Sequence, residues 1–189
     1  RDEFYEATPH SFVEDIKEIL ISFGGTDQNN LTLLALKAVE ESCAFHNIKI
    51  NIVCGGGYAF KNELETYLNG LDYKNIELTY ASGIISKIME KTQLAISSNG
   101  RTVYELADMN IPSIIISHHA REASHTFAGL DKGFINLGVI NESTPFKIRE
   151  KFAKLIEDKD YRELLFMNIK KYTFRENKQK VVRKILELL

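Results

Sequence analysis

Apolar and polar positions along most of this chain alternate between two periods. Short runs rich in aliphatic residues predict six strands: Glu18 to Phe23 (EILISF), Ile48 to Cys54 (IKINIVC), Asn75 to Tyr80, Gln93 to Ser97 (QLAIS), Pro112 to Ser117 (PSIIIS) and Phe134 to Leu137. Between them apolar residues recur near helical spacing, as at Leu33, Leu36, Ala38 and Val39. Helices are expected over Asn29 to Phe45, Tyr58 to Leu68, Ile84 to Glu90, Arg101 to Met109, and from Arg121 to Asp131. From Pro145 onward the pattern predicts two or three helices and no further strand.

Strands alternating with helices imply βαβ units, a parallel sheet and right-handed crossovers. The expected fold class is α/β: a Rossmann-like three-layer sandwich of about six parallel strands in a single domain. Residues 1–16 read as a connector, 17–140 as the domain and 141–189 as C-terminal helices.

With 189 residues, 44% of them hydrophobic and 26% charged, the chain is long enough for one sizeable core. That composition excludes a disordered tail, a collagen-like repeat and a disulfide scaffold. Cys43 and Cys54 cannot make a secreted framework, so a reducing, cytoplasmic setting is expected. No apolar run has membrane-helix length, and no signal-peptide pattern opens the chain. A start at Arg1 rather than Met suggests a piece of something longer.

A net charge of −2 argues against nucleic acid as a partner. The charge is uneven: residues 147–189 carry 13 Lys and Arg against 7 Asp and Glu. That basic segment is either the solvated side of helices or a face for an anionic membrane surface or a partner domain.

In doubly wound sheets ligands bind outside the carboxyl ends of the strands. That rule selects Gly24-Gly25-Thr26-Asp27, Cys54-Gly55-Gly56-Gly57, Ser97-Ser98-Asn99-Gly100 and His118-His119. Ser22 to Asp27 (SFGGTD) joins a strand to a helix, and its glycines let backbone N–H groups approach an anion. A tight turn without ligand is the alternative. Asp27 is placed as N-cap of a helix starting near Gln28.

Ile96 to Glu105 (ISSNGRTVYE) is the most informative stretch, a strand running through a Ser-Ser-Asn-Gly loop into a helix. Val103, Leu106 and Ala107 share one helix face, and Glu105 points about 160° from their centre. Its carboxylate either accepts hydrogen bonds from a ribose diol or closes a Thr102-x-x-Glu105 capping box. Gly55, Gly57 and Phe60 do not form G-x-G-x-x-G, so a dinucleotide site is disfavoured; the glycines let a loop pass close to the ligand or to a neighbouring loop. His118, His119 and His125 lack metal-ligand spacing, and a hydrogen-bonding histidine at the strand end is favoured over a metal. Ser97 and Ser98 lack a nucleophile elbow.

With these residues in place, the order strand–GGTD–helix, strand–glycines, Ala95 to Glu105 (AISSNGRTVYE), Leu106 to Pro112 (LADMNIP) and Phe127 to Gly138 resembles the C-terminal half of GT-B nucleotide-sugar enzymes. The nearest resemblance is to the UDP-sugar hydrolase of pseudaminic acid biosynthesis and similar spore-coat polysaccharide proteins. The N-acetylglucosaminyltransferase of lipid II synthesis is more distant. The resemblance covers residues 17–140, and Asn177 to Leu189 is similar to the family's closing helix.

This resemblance implies a UDP-sugar site, and no metal or other cofactor is expected, since helix N-termini supply the positive end. The family's glycine turn matches Gly24 and Gly25, followed by Thr26; its phosphate loop matches Ser98, Asn99 and Gly100, followed by Arg101 and Thr102; its ribose-binding glutamate matches Glu105. His118 at the strand end joins this set, as do Arg121 and Glu122, which stand where the family usually carries Asn-Gln. The family's catalytic histidine lies in an N-terminal domain that this chain lacks, so binding without turnover is expected. The leading expectation is the UDP-sugar-binding half of an enzyme that hydrolyses a UDP-linked amino sugar or transfers its glycosyl group. The alternatives are a non-catalytic partner module and a membrane-associated glycosyltransferase half.

Overall fold

Successive residues of the inner strands enter two different cores, as a sheet covered on both faces requires. Ile19 and Ile21, Ile50 and Ile52, Leu94 and Ile96, and Ile114 and Ile116 belong to one buried cluster. The residues between them, Leu20, Ala95 and Ile115, together with Val53, belong to the other. The computed structural model describes residues 3–80, 83, 85–172, 174 and 177–187.

The six strands are β1 (Glu18–Ser22), β2 (Lys49–Cys54), β3 (Ile76–Tyr80), β4 (Leu94–Ser98), β5 (Ser113–Ser117) and β6 (Phe134–Val139). All pair in parallel, in the order β3-β2-β1-β4-β5-β6. Helices α2 (Leu31–Phe45), α3 (Lys61–Gly70) and α7 (Thr144–Glu157) cover one face through residues such as Leu36, Leu64 and Phe152. Helices α4 (Ile85–Met89) and α5 (Thr102–Asp108) cover the other through Met89, Val103 and Leu106. The expected Rossmann-like α/β sandwich is thus the observed one.

Several expected boundaries move. The helix expected from Asn29 starts at Leu31, and that expected from Tyr58 starts at Lys61. The helix expected from Ile84 is α4, with Ile84 itself outside the described residues. The largest correction concerns Arg121 to Asp131. Only α6 (Ala120–Ala123) and a 3-10 turn at Leu130–Lys132 form there. The Asn99 side-chain amide donates to the carbonyls of Glu122 and His125, at 3.1 and 3.0 Å. A tertiary donor thereby takes carbonyls that a continuing helix would use.

Residues 3–16, within the stretch expected as a connector, are stitched down. Helix α1 (Glu3–Glu6) buries Phe4; the His10 N–H donates to the Met109 carbonyl and the Asn110 amide to the His10 carbonyl. Residues 1–2 of that stretch lie outside the described residues. At the other end α7 contributes Ile148, Phe152 and Leu155 to the first core, and α8 (Lys159–Ile169) adds Leu165. Arg162 is 5% exposed and donates to the carbonyls of Leu155, Ile156 and Glu14, tying the end of α7 to the entering chain. Helix α9 (Asn177–Leu186) occupies most of the expected closing segment, whose Leu188 and Leu189 lie outside the described residues.

Candidate functional site

Strand order decides which loops meet. Chain direction across the sheet reverses between β1 and β4, so a crevice opens where their carboxyl ends diverge. The loops after these two strands are Phe23 to Asn30 and Asn99 to Arg101, and the loop after β5 begins at His118. Gly24, Gly25, Thr26, Ser98, Asn99, Gly100 and His118 therefore share one edge.

The first loop is shaped by its neighbour. Gly55 and Gly57 donate their N–H groups to the carbonyls of Gly24 and Gly25, at 3.2 and 3.0 Å. In a trans peptide the carbonyl and the following N–H point in opposite directions. The Gly25 and Thr26 N–H groups are therefore turned away from the β2–α3 loop, and among the described residues neither donates to a backbone carbonyl. Gly24 adopts φ +78°, a left-handed conformation natural to glycine, and a Cβ on Gly24 or Gly25 would meet nothing within 4 Å. An open cradle with two donors results.

Asp27 is a cap, but of a helix that starts later than expected. Its two carboxylate oxygens accept the Leu31 and Thr32 N–H groups, each at 2.8 Å. Only 3% exposed, it already balances the positive end of α2. An anion at this loop would consequently find its donors at Gly25 and Thr26 rather than at that helix end.

The β4–α5 loop is held from both sides. Ser97 is buried and its hydroxyl donates to the Ser22 carbonyl, locking β4 to β1. Asn99, 1% exposed, grips the α6 segment with its amide, and the His125 Nδ1 lies 2.7 Å from the Asn99 carbonyl. Glu122 completes the arrangement: its Oε2 accepts the His118 N–H at 2.6 Å, and its Oε1 stands 3.7 Å from where a Gly100 Cβ would lie.

Helix α5 opens with Arg101 in helical conformation, and the Val103 and Tyr104 N–H groups donate to the Gly100 and Arg101 carbonyls. Thr102 already lies inside the helix, so it lacks the extended cap position of a capping box. Glu105 is half-buried in the first turn, Arg101 and Arg121 are exposed, and Thr102 is half-buried.

The His118 imidazole is 9% exposed, packs edge-on to Phe23, and places Nε2 3.8 Å from Asp27 Oδ1. His119 caps α6, its Nδ1 accepting the Glu122 N–H. No group of three or more His, Cys, Asp or Glu among the described residues is placed to hold a metal ion. Burial, aided by the nearby Asp27 charge, pushes the Cys54 thiol up to about 12, so it is no nucleophile at this edge. Sequence reasoning missed His125 as a structural partner and Asn99 as a clamp. Their side chains meet across two loops, and no local pattern encodes that.

No known protein-family profile matches the chain. An uncharacterized protein of Methanocaldococcus jannaschii is 31% identical over 128 residues, 61% of this chain and 25% of that protein. The UDP-GlcNAc 2-epimerase from Neisseria meningitidis, bound to UDP-GlcNAc, superposes with a TM-score of 0.66 at 16% identity, covering 93% of this chain and 46% of its own. MurG from Acinetobacter baumannii gives 0.65 at 18% identity, covering 98% and 52%. The chain thus spans a quarter of its curated relative and about half of each structure. Its fold is that of the C-terminal, Rossmann-like half of GT-B glycosyltransferases and UDP-GlcNAc 2-epimerases.

Proposed function

We propose that this chain is the UDP-sugar-binding half of a GT-B-type enzyme of cell-surface sugar biosynthesis, acting in the cytoplasm on a UDP-linked amino sugar. The observation that carries the reading is the pair of turned-away N–H groups at Gly25 and Thr26, set beside the Ser98-Asn99-Gly100 loop at the switch point. Such donors suit a diphosphate. Glu105, in the first turn of the helix that follows, is assigned the ribose diol. Arg101 and Thr102 flank the diphosphate, His118 and Arg121 border the sugar, and Glu122, beside Gly100, stands where the sugar joins the terminal phosphate.

In the parent reaction these contacts hold the leaving nucleoside diphosphate, and stabilising its growing charge is this half's share of catalysis. Hydrolysis or glycosyl transfer, in pseudaminic (nonulosonic) acid or spore-coat polysaccharide formation, is the finer proposal. The motif resemblance supports it, and the epimerase neighbour adds epimerisation as a third chemistry. The catalytic base is assigned to the N-terminal half of such an enzyme.

Calorimetric titration with UDP, using CMP and GDP as controls, tests the reading. UDP is expected to bind, and Glu105→Ala to weaken it on the order of 10-fold. No nucleotide binding by this chain would overturn it and leave the partner-module reading.

Peripheral contact with an anionic membrane through 147–189 belongs to the same proposal. In its favour, α9 exposes Val181, Val182, Ile185 and Leu186 alongside Arg183 and Lys184. No helix among the described residues is long and apolar enough to cross a membrane. Salt-sensitive pelleting with phosphatidylglycerol vesicles is the expected result, and its absence would remove this contact.

A further inference from the structure

We infer that Glu122 makes this site prefer a nucleoside diphosphate joined to a sugar over the free nucleoside diphosphate, an inference that rests on the nucleotide-sugar reading above. Three contacts fix the residue. Its Oε2 accepts the His118 N–H at 2.6 Å, its backbone carbonyl accepts the Asn99 amide at 3.1 Å, and its own N–H donates to the His119 carbonyl at 3.0 Å. Thus held, Oε1 stands 3.7 Å from the position of a Cβ on Gly100. Among the described residues no lysine or arginine forms an ion pair with it. A half-buried carboxylate is therefore set beside the glycine of the phosphate loop, with one backbone N–H to balance it.

The consequence follows from the charge of the ligand. In a sugar-linked diphosphate each phosphate has one ester and one anhydride linkage and carries one negative charge. Release of the sugar frees a terminal phosphate whose second ionisation, near pH 6, adds close to one further charge at neutral pH. With the terminal phosphate at the Ser98-Asn99-Gly100 loop, as the nucleotide-sugar reading has it, that added charge meets the Glu122 carboxylate. Two unit charges a few ångström apart at a protein surface repel enough to alter affinity by roughly 10-fold. The sugar-linked ligand, without the extra charge, escapes most of this penalty. Glu122 thereby favours entry of the donor and departure of the nucleoside diphosphate.

The test is calorimetric titration of UDP and UDP-GlcNAc at pH 7.5 into the wild-type chain, Glu122→Gln and Glu122→Ala. Glu142→Gln, at an exposed loop position, serves as a charge control. Glu122→Gln keeps an acceptor for the His118 N–H and is expected to tighten UDP by roughly 10-fold while changing UDP-GlcNAc far less. Glu122→Ala gives up that acceptor and is expected to move the ratio of the two affinities the same way; the control leaves the ratio in place. An unmoved ratio in the Glu122 variants, or a selective loss of UDP-GlcNAc, overturns the inference while UDP binding itself persists. Absence of UDP binding from every protein overturns the nucleotide-sugar reading and this inference together.

Discussion

A Cβ on Gly55 would stand 2.4 Å from the Cα of Gly25. No side chain tolerates such an approach, and the atoms in the way, on Gly24 and Gly25, are all backbone, so none can swing aside. The contact lets the Gly55 and Gly57 N–H groups reach the Gly24 and Gly25 carbonyls and set the orientation of the cradle. Gly55→Ala is expected to destabilise the fold by about 1–3 kcal/mol and to weaken nucleotide binding, since the Gly24–Gly25 turn must shift. Gly70→Ala, where a Cβ meets nothing within 4 Å, is the matched control. Melting curves and UDP titration of both variants check this.

Asn99 should behave as a structural clamp. Truncation to alanine leaves the Glu122 and His125 carbonyls without their side-chain donor, at a cost of about 1–3 kcal/mol. Asn99→Asp, of equal size, replaces the donor by a carboxylate facing two carbonyls and is expected to be no better. Urea unfolding of the two variants measures the cost. Wild-type stability in either would show that the β5–α6 segment holds without the clamp.

Asp27 gives a cap prediction that is independent of any ligand. Asp27→Ala removes both acceptors from the start of α2 and is expected to lose about 1–2 kcal/mol. Asp27→Asn keeps one carbonyl oxygen and should fall between alanine and wild type. Chemical denaturation provides the comparison.

Stability should fall at alkaline pH. Burial pushes the Cys43 and Cys54 thiols up to about 12, and raises Tyr58 as well. A folded-state value above the unfolded one means that the native protein holds the proton longer. This contribution is complete below the ordinary thiol value of 9.0 and is lost as pH rises toward 12. Melting temperature should decline from pH 9 upward, and less steeply in a Cys43→Ala/Cys54→Ala double variant. Neither thiol should react with a disulfide reagent at pH 8 until the protein unfolds. Prompt reaction in the native state would contradict their burial.

What local patterns could and could not convey shows in particular elements. β5 was legible because Ile114, Ile115 and Ile116 form an apolar run bounded by Pro112 and the histidines. The helix expected to Asp131 was not, because its early end is imposed by a side chain 23 residues upstream in the chain, Asn99 against Glu122. Asp27 was legible as a cap from its residue type, yet its exact reach was not. Its φ of +43° and the left-handed Asn30 add a turn before the helix begins.

By itself the sequence determined that strands and helices alternate, that the sheet is parallel and buried on both faces, and which loops end in glycine, serine or asparagine. These properties reside in periods of a few residues, because burial on a strand or helix repeats with the backbone geometry. Only the tertiary structure decided that β1 lies beside β4, that Gly55 presses on Gly25, and that the Glu122 carboxylate stands beside Gly100. Each is a contact between segments distant in sequence. Their side chains carry no mutual signal until strand pairing brings the loops to one edge.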